Sequence, residues 1–210
     1  MAPKFKEISE KLQAGKADEV KAMVQAEVNA GTPVGDILKK GLIAGMAVIG
    51  EKFKKNEVYV PEVLIAARAM NAGLTILEPL LAKAGVKPLG RVAIGTVKGD
   101  LHDIGKNLVA MMLRGAGFEI VDLKIDVAPD KFVDAAKNGA SLVCLSALLT
   151  TTMPQMKNVI EALKAAKLNV PVLIGGAPVT QSYADEIGAA GYAPDAASAV
   201  DEAKKLLKVS

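Results

Sequence analysis

A chain of 210 residues with 51% hydrophobic positions can bury one generous core or two modest ones. Its net charge of +3 comes from lysines interspersed with acids, as in Lys157, Glu161 and Lys164, and it has three tyrosines, four phenylalanines and no tryptophan; a basic stripe or a base-stacking platform for nucleic acid is therefore not expected. One cysteine forms no internal disulfide, the start MAPKFKEISEKLQ is charged where a signal peptide is apolar, and the longest apolar run, Leu42–Ile49, is far short of the ~20 residues of a membrane helix, so a cytoplasmic chain with no membrane partner is expected.

The first elements in the chain are helical. Ile37, Leu42, Ala44 or Met46, Ile49 and Phe53 recur at helical spacing, as do Val63, Leu64, Ala67, Met70, Leu74, Leu77 and Leu81. Breaks at Gly31-Thr-Pro33, Asn56–Pro61 and the stretch 84–90 suggest about four helices, the last break serving as an inter-domain linker and hinge. The expected boundary puts a helical domain at 1–88 and a second domain at 89–210.

From Gly90 on, short β-branched runs alternate with amphipathic segments. Strands are expected at 91–97, 118–123, 142–146 and 170–174, with a weaker fifth near Gly191–Tyr192. Helices are expected at about 104–115, 130–138, 154–167 and 196–208. This alternation implies a doubly wound, flavodoxin-like parallel sheet of order 2-1-3-4-5. Open parallel sheets take ligands beyond the carboxyl ends of the strands flanking the switch point, here strands one and three. The loops concerned are Lys98–Gly105, containing GDLHDIG, and Ser146–Pro154, SALLTTTMP, with Ile174–Pro178, IGGAP, next door.

Several chemistries fail on spacing. Five residues separate Gly99 from Gly105, and Asn107 stands where a phosphate-binding loop needs a hydroxyl. No G-x-G-x-x-G occurs for a dinucleotide. Ser146 has no G-x-S-x-G elbow. Catalytic zinc needs three protein ligands, whereas Cys144 lies in the apolar strand VCLS and His102 is the chain's one histidine. A lone loop histidine is often a cap or a surface residue. With Asp100 two residues earlier to fix its tautomer, however, it makes a good metal ligand, and the metal must then bring most of its ligands with it, as a macrocycle does.

The segments Asp100-Leu-His102-Asp-Ile-Gly105, Ser146-Ala-Leu148 and Gly175-Gly176 resemble the D-x-H-x-x-G, S-x-L and G-G signature of cobalamin-binding domains. Gly50–Met70, GEKFKKNEVYVPEVLIAARAM, resembles the helical cap of cobalamin-dependent methionine synthase and of the small corrinoid proteins of methyltransferase systems. The resemblance covers nearly the whole chain, and it implies a cobamide, cobalamin or a related corrinoid, with cobalt bound through His102.

The same resemblance assigns roles residue by residue. His102 is the lower axial ligand, Asp100 its hydrogen-bond partner and Thr152 the third member of that relay. Gly99, Leu101, Asp103, Ile104 and Gly105 share the motif loop. Ser146 and Leu148 line a channel for the cofactor's nucleotide tail, Thr150 contacts the cofactor, and Ala147, in place of a glycine, narrows the channel. Gly175 and Gly176 let backbone approach the tail, and Tyr192 to Ala196 contact it. Phe53, Val60, Val63 and Leu64 cover the upper face of the corrin. Taken alone, Gly175-Gly176 reads equally as an ordinary strand exit, and Phe53, Val63 and Leu64 as ordinary helix core.

The function implied is a methyl carrier. A substrate-specific methyltransferase loads the cobalt, and a second methyltransferase unloads it to tetrahydrofolate or a thiol, with room for a reductive activator as a further partner. The strength of the histidine ligand would bias the transfer, because a methylated cobalt(III) favours a lower donor and cobalt(I) does not. Two rivals share the signature. A cobalamin-dependent regulator usually adds a basic recognition helix, which the first thirty residues lack; the small subunit of an adenosylcobalamin mutase lacks the cap.

Overall fold

A computed structural model describes residues 3–209. The chain divides into two compact units, one comprising residues up to Lys87 together with Gly115–Gly117, the other Pro88–Arg114 with Phe118 onward.

The first unit is helical. Helices α1 (Phe5–Gln13), α2 (Ala17–Asn29), α3 (Val34–Asp36), α4 (Ala44–Lys54) and α5 (Val60–Lys83) are described, and a π-helical segment, Ile37–Ile43, joins α3 to α4 without a break. They form four continuous helical stretches. Each ends in the same way: the chain turns left-handed at Gly15, Gly31, Asn56 or Gly85, and the next N–H reaches back to a carbonyl in the last turn, as Val86 N–H does to the Leu81 carbonyl. Glycine and asparagine carry little penalty there. The break at Gly15 was not among the expected ones. In α5, Val63, Ala66, Ala67, Met70, Leu74, Leu77 and Leu81 form a buried stripe at helical spacing, and α2 packs on this helix. By length and composition α5 could cross a membrane; in this fold its apolar stripe is the core of the helical unit.

The second unit is a five-stranded parallel sheet of order β2-β1-β3-β4-β5, the order expected from the sequence. In chain order it contains β1 (Arg91–Val97), α6 (Ile104–Gly115), β2 (Glu119–Val127), α7 (Pro129–Lys137), β3 (Leu142–Ser146), α8 (Pro154–Ala165), β4 (Val172–Gly175), α9 (Gln181–Ile187), β5 (Gly191–Tyr192) and α10 (Ala196–Leu207). β1, β3 and β4 are buried nearly throughout, as a sheet covered on both faces requires. Phe132, Val143, Leu145, Met156, Val159 and Ile174 belong to one continuous core.

Three sequence expectations need correction. β2 continues to Val127 instead of stopping at Leu123, because two register shifts against β1 and left-handed backbone at Lys124 and Asp126 let the edge strand curl on. β4 starts at Val172, after Pro171. α9 was not expected; it is only seven residues long, and its start and stop signals are the Thr180 hydroxyl, which accepts the Tyr183 N–H, and a left-handed Gly188.

Candidate functional site

The end of β1 makes a sharp turn. Gly99 adopts φ +83°, and the Asp100 N–H donates to the Val97 carbonyl at 3.1 Å. The turn drives the Asp100 side chain inward, where it is wholly buried, and leaves His102 half-exposed. Buried carboxylates need partners, and Asp100 has five. Its Oδ1 accepts His102 Nδ1 at 2.8 Å and the His102 N–H at 3.1 Å. Its Oδ2 accepts the Leu148 N–H at 2.8 Å, the Leu149 N–H at 3.3 Å and Thr152 Oγ1 at 2.7 Å.

These bonds fix the charge and the tautomer together. Burial pushes the Asp100 carboxyl up, but the bonds from Leu148, Thr152 and His102 outweigh it and hold the group below the usual carboxylate range. An ionised carboxylate only accepts, so Nδ1 carries a proton, and in the neutral ring Nε2 keeps a lone pair pointing away from Asp100.

The β1 and β3 exits thus meet on one carboxylate, as the switch point requires. Ser146 ends β3 in register with Thr96. Beyond it, Leu148 and Leu149 are exposed, as are Leu101 at 67% and Ile104 at 78%, so four apolar side chains stand in water within two residues of His102 or on the loop bonded to Asp100. Gly99, Asp103, Gly105 and Thr150 are exposed on the same loops. Gly105 opens α6 with nothing within 4 Å of where its Cβ would be, so no protein packing accounts for the glycine.

Gly176 has a different reason for being glycine. It sits at φ +133°, and a Cβ there would lie 1.9 Å from the Ala147 carbonyl oxygen, so the close approach of the β3 and β4 exits demands it. Gly175 is likewise tight, with its Cβ position 3.0 Å from the Ala193 carbonyl oxygen. The expectation that Ala147 narrows a channel is corrected: Ala147 is fully buried and belongs to the core of the sheet. Tyr192 in β5 is half-buried, and Ala196 is buried at the start of α10, which Asp195 caps.

Of the residues expected on the upper face, all in the helical unit, Leu64 is exposed and Phe53 and Val60 are half-buried. Val63 corrects the expectation, for it is wholly buried in the α5 stripe and has no surface to offer.

Sequence reasoning missed a supporting shell. The Thr96 hydroxyl, fully buried, donates to the His102 carbonyl at 2.8 Å. Asp126 Oδ1 accepts the Gly99 N–H at 2.7 Å. Lys106 is only 2% exposed, and its Nζ donates to Asp122 Oδ1 at 2.6 Å and to Asn107 Oδ1 at 2.7 Å. Burial pushes the Asp122 carboxyl up, yet Lys106 and Lys124 hold it down at about 2. Tyr183, from the unexpected α9, donates its hydroxyl to the Met153 carbonyl at 2.8 Å and so steadies the loop carrying Thr152. The one signal for these residues was the pattern Asp122-Leu-Lys-Ile-Asp126, polar residues two apart on an edge strand.

The donor set decides which metal fits. Among the described residues no group of three or more His, Cys, Asp or Glu could hold a metal ion, and Cys144 is buried, its thiol pushed up by burial to about 12. One oriented imidazole amid exposed apolar side chains suits a metal that arrives with its equatorial ligands already in place.

Two family models, each described as a B12 binding domain, match the chain, one over residues 4–78 and the other over residues 90–201. The chain is 44% identical over 207 residues to dimethylamine corrinoid protein 2 of Methanosarcina acetivorans, covering 97% of this chain and 95% of that protein. It is 43% identical over 196 residues to trimethylamine corrinoid protein 1 of Methanosarcina mazei, covering 90% and 91%. A chain in the crystal structure of the methanol:cobalamin methyltransferase complex of Methanosarcina barkeri superposes with a TM-score of 0.86 at 29% identity, covering 97% of this chain and 79% of that one. With relatives matched over nearly its full length and the signature residues gathered at one switch point, the chain belongs to the family of small corrinoid proteins of methyltransferase systems.

Proposed function

We propose that this corrinoid methyl carrier holds its cobamide through His102 Nε2, with Asp100 and Thr152 setting the strength of that ligand. The observation that carries the reading is the 2.8 Å bond between His102 Nδ1 and a buried Asp100. When bound, the cobamide supplies the cobalt on which a methyl group is carried from donor to acceptor.

The chain's own residues do the rest. Asp100 keeps the proton on Nδ1 and makes Nε2 more basic. Thr152, through Oδ2, limits how much negative charge Asp100 can offer the ring. Leu101, Ile104, Leu148 and Leu149 would offer a bound corrinoid apolar cover against water. Ser146 and Thr150 supply hydroxyls on the β3 loop, and Gly105 leaves open space where a Cβ would stand.

The partners follow from the same reading. One methyltransferase presents the methyl donor and a second removes the methyl group to its acceptor, in the cytoplasm. The relatives named for dimethylamine and trimethylamine, at 43–44% identity, favour a methylated amine as donor over methanol.

Reconstituting the apo-protein with hydroxocobalamin tests the ligand. The visible spectrum of the wild type is expected to differ from that of His102→Ala, which has no protein nitrogen to offer; identical spectra would remove His102 from the metal.

A further inference from the structure

We propose that Asp126 is a positioning residue for the Asp100–His102 pair, a role that rests on His102 being the cobalt ligand. The tail of β2 is built in a way that sheet pairing does not require. It slips register twice against β1, and both Lys124 (φ +74°) and Asp126 (φ +52°) are left-handed, which side chains other than Gly, Asn and Asp seldom adopt. The distortion is held by Asp122, whose carboxylate accepts the Lys124 N–H at 3.0 Å, Lys124 Nζ at 2.8 Å and the buried Lys106 Nζ at 2.6 Å.

Its result is a grip on one dipeptide. Asp126 Oδ1 accepts the Gly99 N–H at 2.7 Å, and the Asp126 N–H donates to the Asp100 carbonyl at 3.1 Å. One residue therefore holds both ends of Gly99–Asp100, the turn that aims the Asp100 carboxylate, while Thr96 holds the His102 carbonyl at the far end. Asp126 reaches the imidazole only through the backbone. Without its carboxylate the Gly99 peptide is released on one side, and the ring loses part of its fixed direction.

A glycine at this position makes a clean test. Gly adopts the left-handed backbone without penalty, so Asp126→Gly removes the carboxylate while sparing the fold. Asp126→Asn keeps an oxygen that can accept the Gly99 N–H and a side chain tolerant of the same backbone. The full chain, grown with ¹⁵N-histidine and reconstituted with hydroxocobalamin, is reduced to the cobalt(II) form for electron paramagnetic resonance. Because His102 is the only histidine, its coordination splits the signal into a doublet when labelled and a triplet when not, which also separates it from the cofactor's own base.

The ratio of coordinated to uncoordinated cobalt is expected to fall about fivefold in Asp126→Gly, the size of one hydrogen bond's net contribution, and to return in Asp126→Asn. No doublet in the labelled wild type would overturn the ligand reading and this role with it. A wild-type doublet that persists undiminished in Asp126→Gly, or that Asp126→Asn fails to restore, would overturn the role of Asp126 alone.

Discussion

Thr152 Oγ1 lies 2.7 Å from Asp100 Oδ2 and 2.9 Å from the Leu149 carbonyl oxygen, so a hydroxyl with one proton faces two acceptors. The carboxylate is the stronger acceptor and takes it. Thr152→Val keeps the shape and removes the donor, leaving Asp100 Oδ2 to the two backbone N–H groups. We expect the apo-protein to lose about 1–2 kcal/mol by urea unfolding, and Thr152→Ser to lose less than about 1 kcal/mol, for the methyl group alone. Equal stability of the valine and serine variants would show that the hydroxyl does not serve the carboxylate.

Acid should expose the same carboxylate. Burial raises its pKa, the bonds from Leu148, Thr152 and His102 lower it by more, and the folded value ends below that of the unfolded chain. The unfolded state then binds more protons, so this contribution is complete above about pH 4 and disappears as pH falls below it. Asp122, held at about 2, behaves alike. The wild-type apo-protein is expected to lose stability steadily from about pH 4 downward. Asp100→Asn, weaker at neutral pH because an amide cannot accept all five bonds, should show a flatter acid limb. Parallel limbs would mean that Asp100 titrates normally.

The sequence disclosed the frame and the motif more readily than the apparatus around it. Strand order followed from βα alternation, and the turns at Gly31, Asn56 and Gly85 announced themselves through residues that tolerate left-handed backbone. Asp100 and His102 could be paired because two residues of loop bring their side chains together whatever the rest does. Lys106 could not be foreseen, since a lysine in the first turn of an amphipathic helix is ordinarily solvated and only the curled tail of β2 provides Asp122 to bury it against. Val63 and Leu64 show the same limit. Both are apolar neighbours on α5, and only the direction of the stripe decides that one is core and the other surface.

Lys106 and Asp122 should be strongly coupled. Lys106→Met leaves Asp122 with Lys124 alone, and Asp122→Asn leaves a buried ammonium without a countercharge. Each single change is expected to cost about 1–3 kcal/mol by urea unfolding. The double variant, with no buried charge left unpaired, should be more stable than the sum of the two predicts. Strict additivity would mean that the 2.6 Å contact carries no energy of its own.

Gly105 and Gly176 both belong to the signature, yet the structure separates them. A Cβ at Gly176 would overlap the Ala147 carbonyl oxygen on a backbone at φ +133°, so Gly176→Ala should cost more than about 2 kcal/mol or abolish soluble expression. A Cβ at Gly105 would meet nothing within 4 Å, and Gly105 lies in the first turn of α6. Gly105→Ala should therefore stabilise the apo-protein, by up to about 1 kcal/mol, through the lower entropy of its unfolded chain. If the open space beside Gly105 is where the cofactor's ring or tail lies, the same variant should bind hydroxocobalamin at least about tenfold more weakly, a difference of about 1.4 kcal/mol. Thermal unfolding of the apo-protein and equilibrium titration with hydroxocobalamin measure the two effects separately. A variant that gains stability and keeps its affinity would take Gly105 out of the binding surface, whereas opposite signs for folding and binding would show that the glycine is there for the ligand and not for the chain.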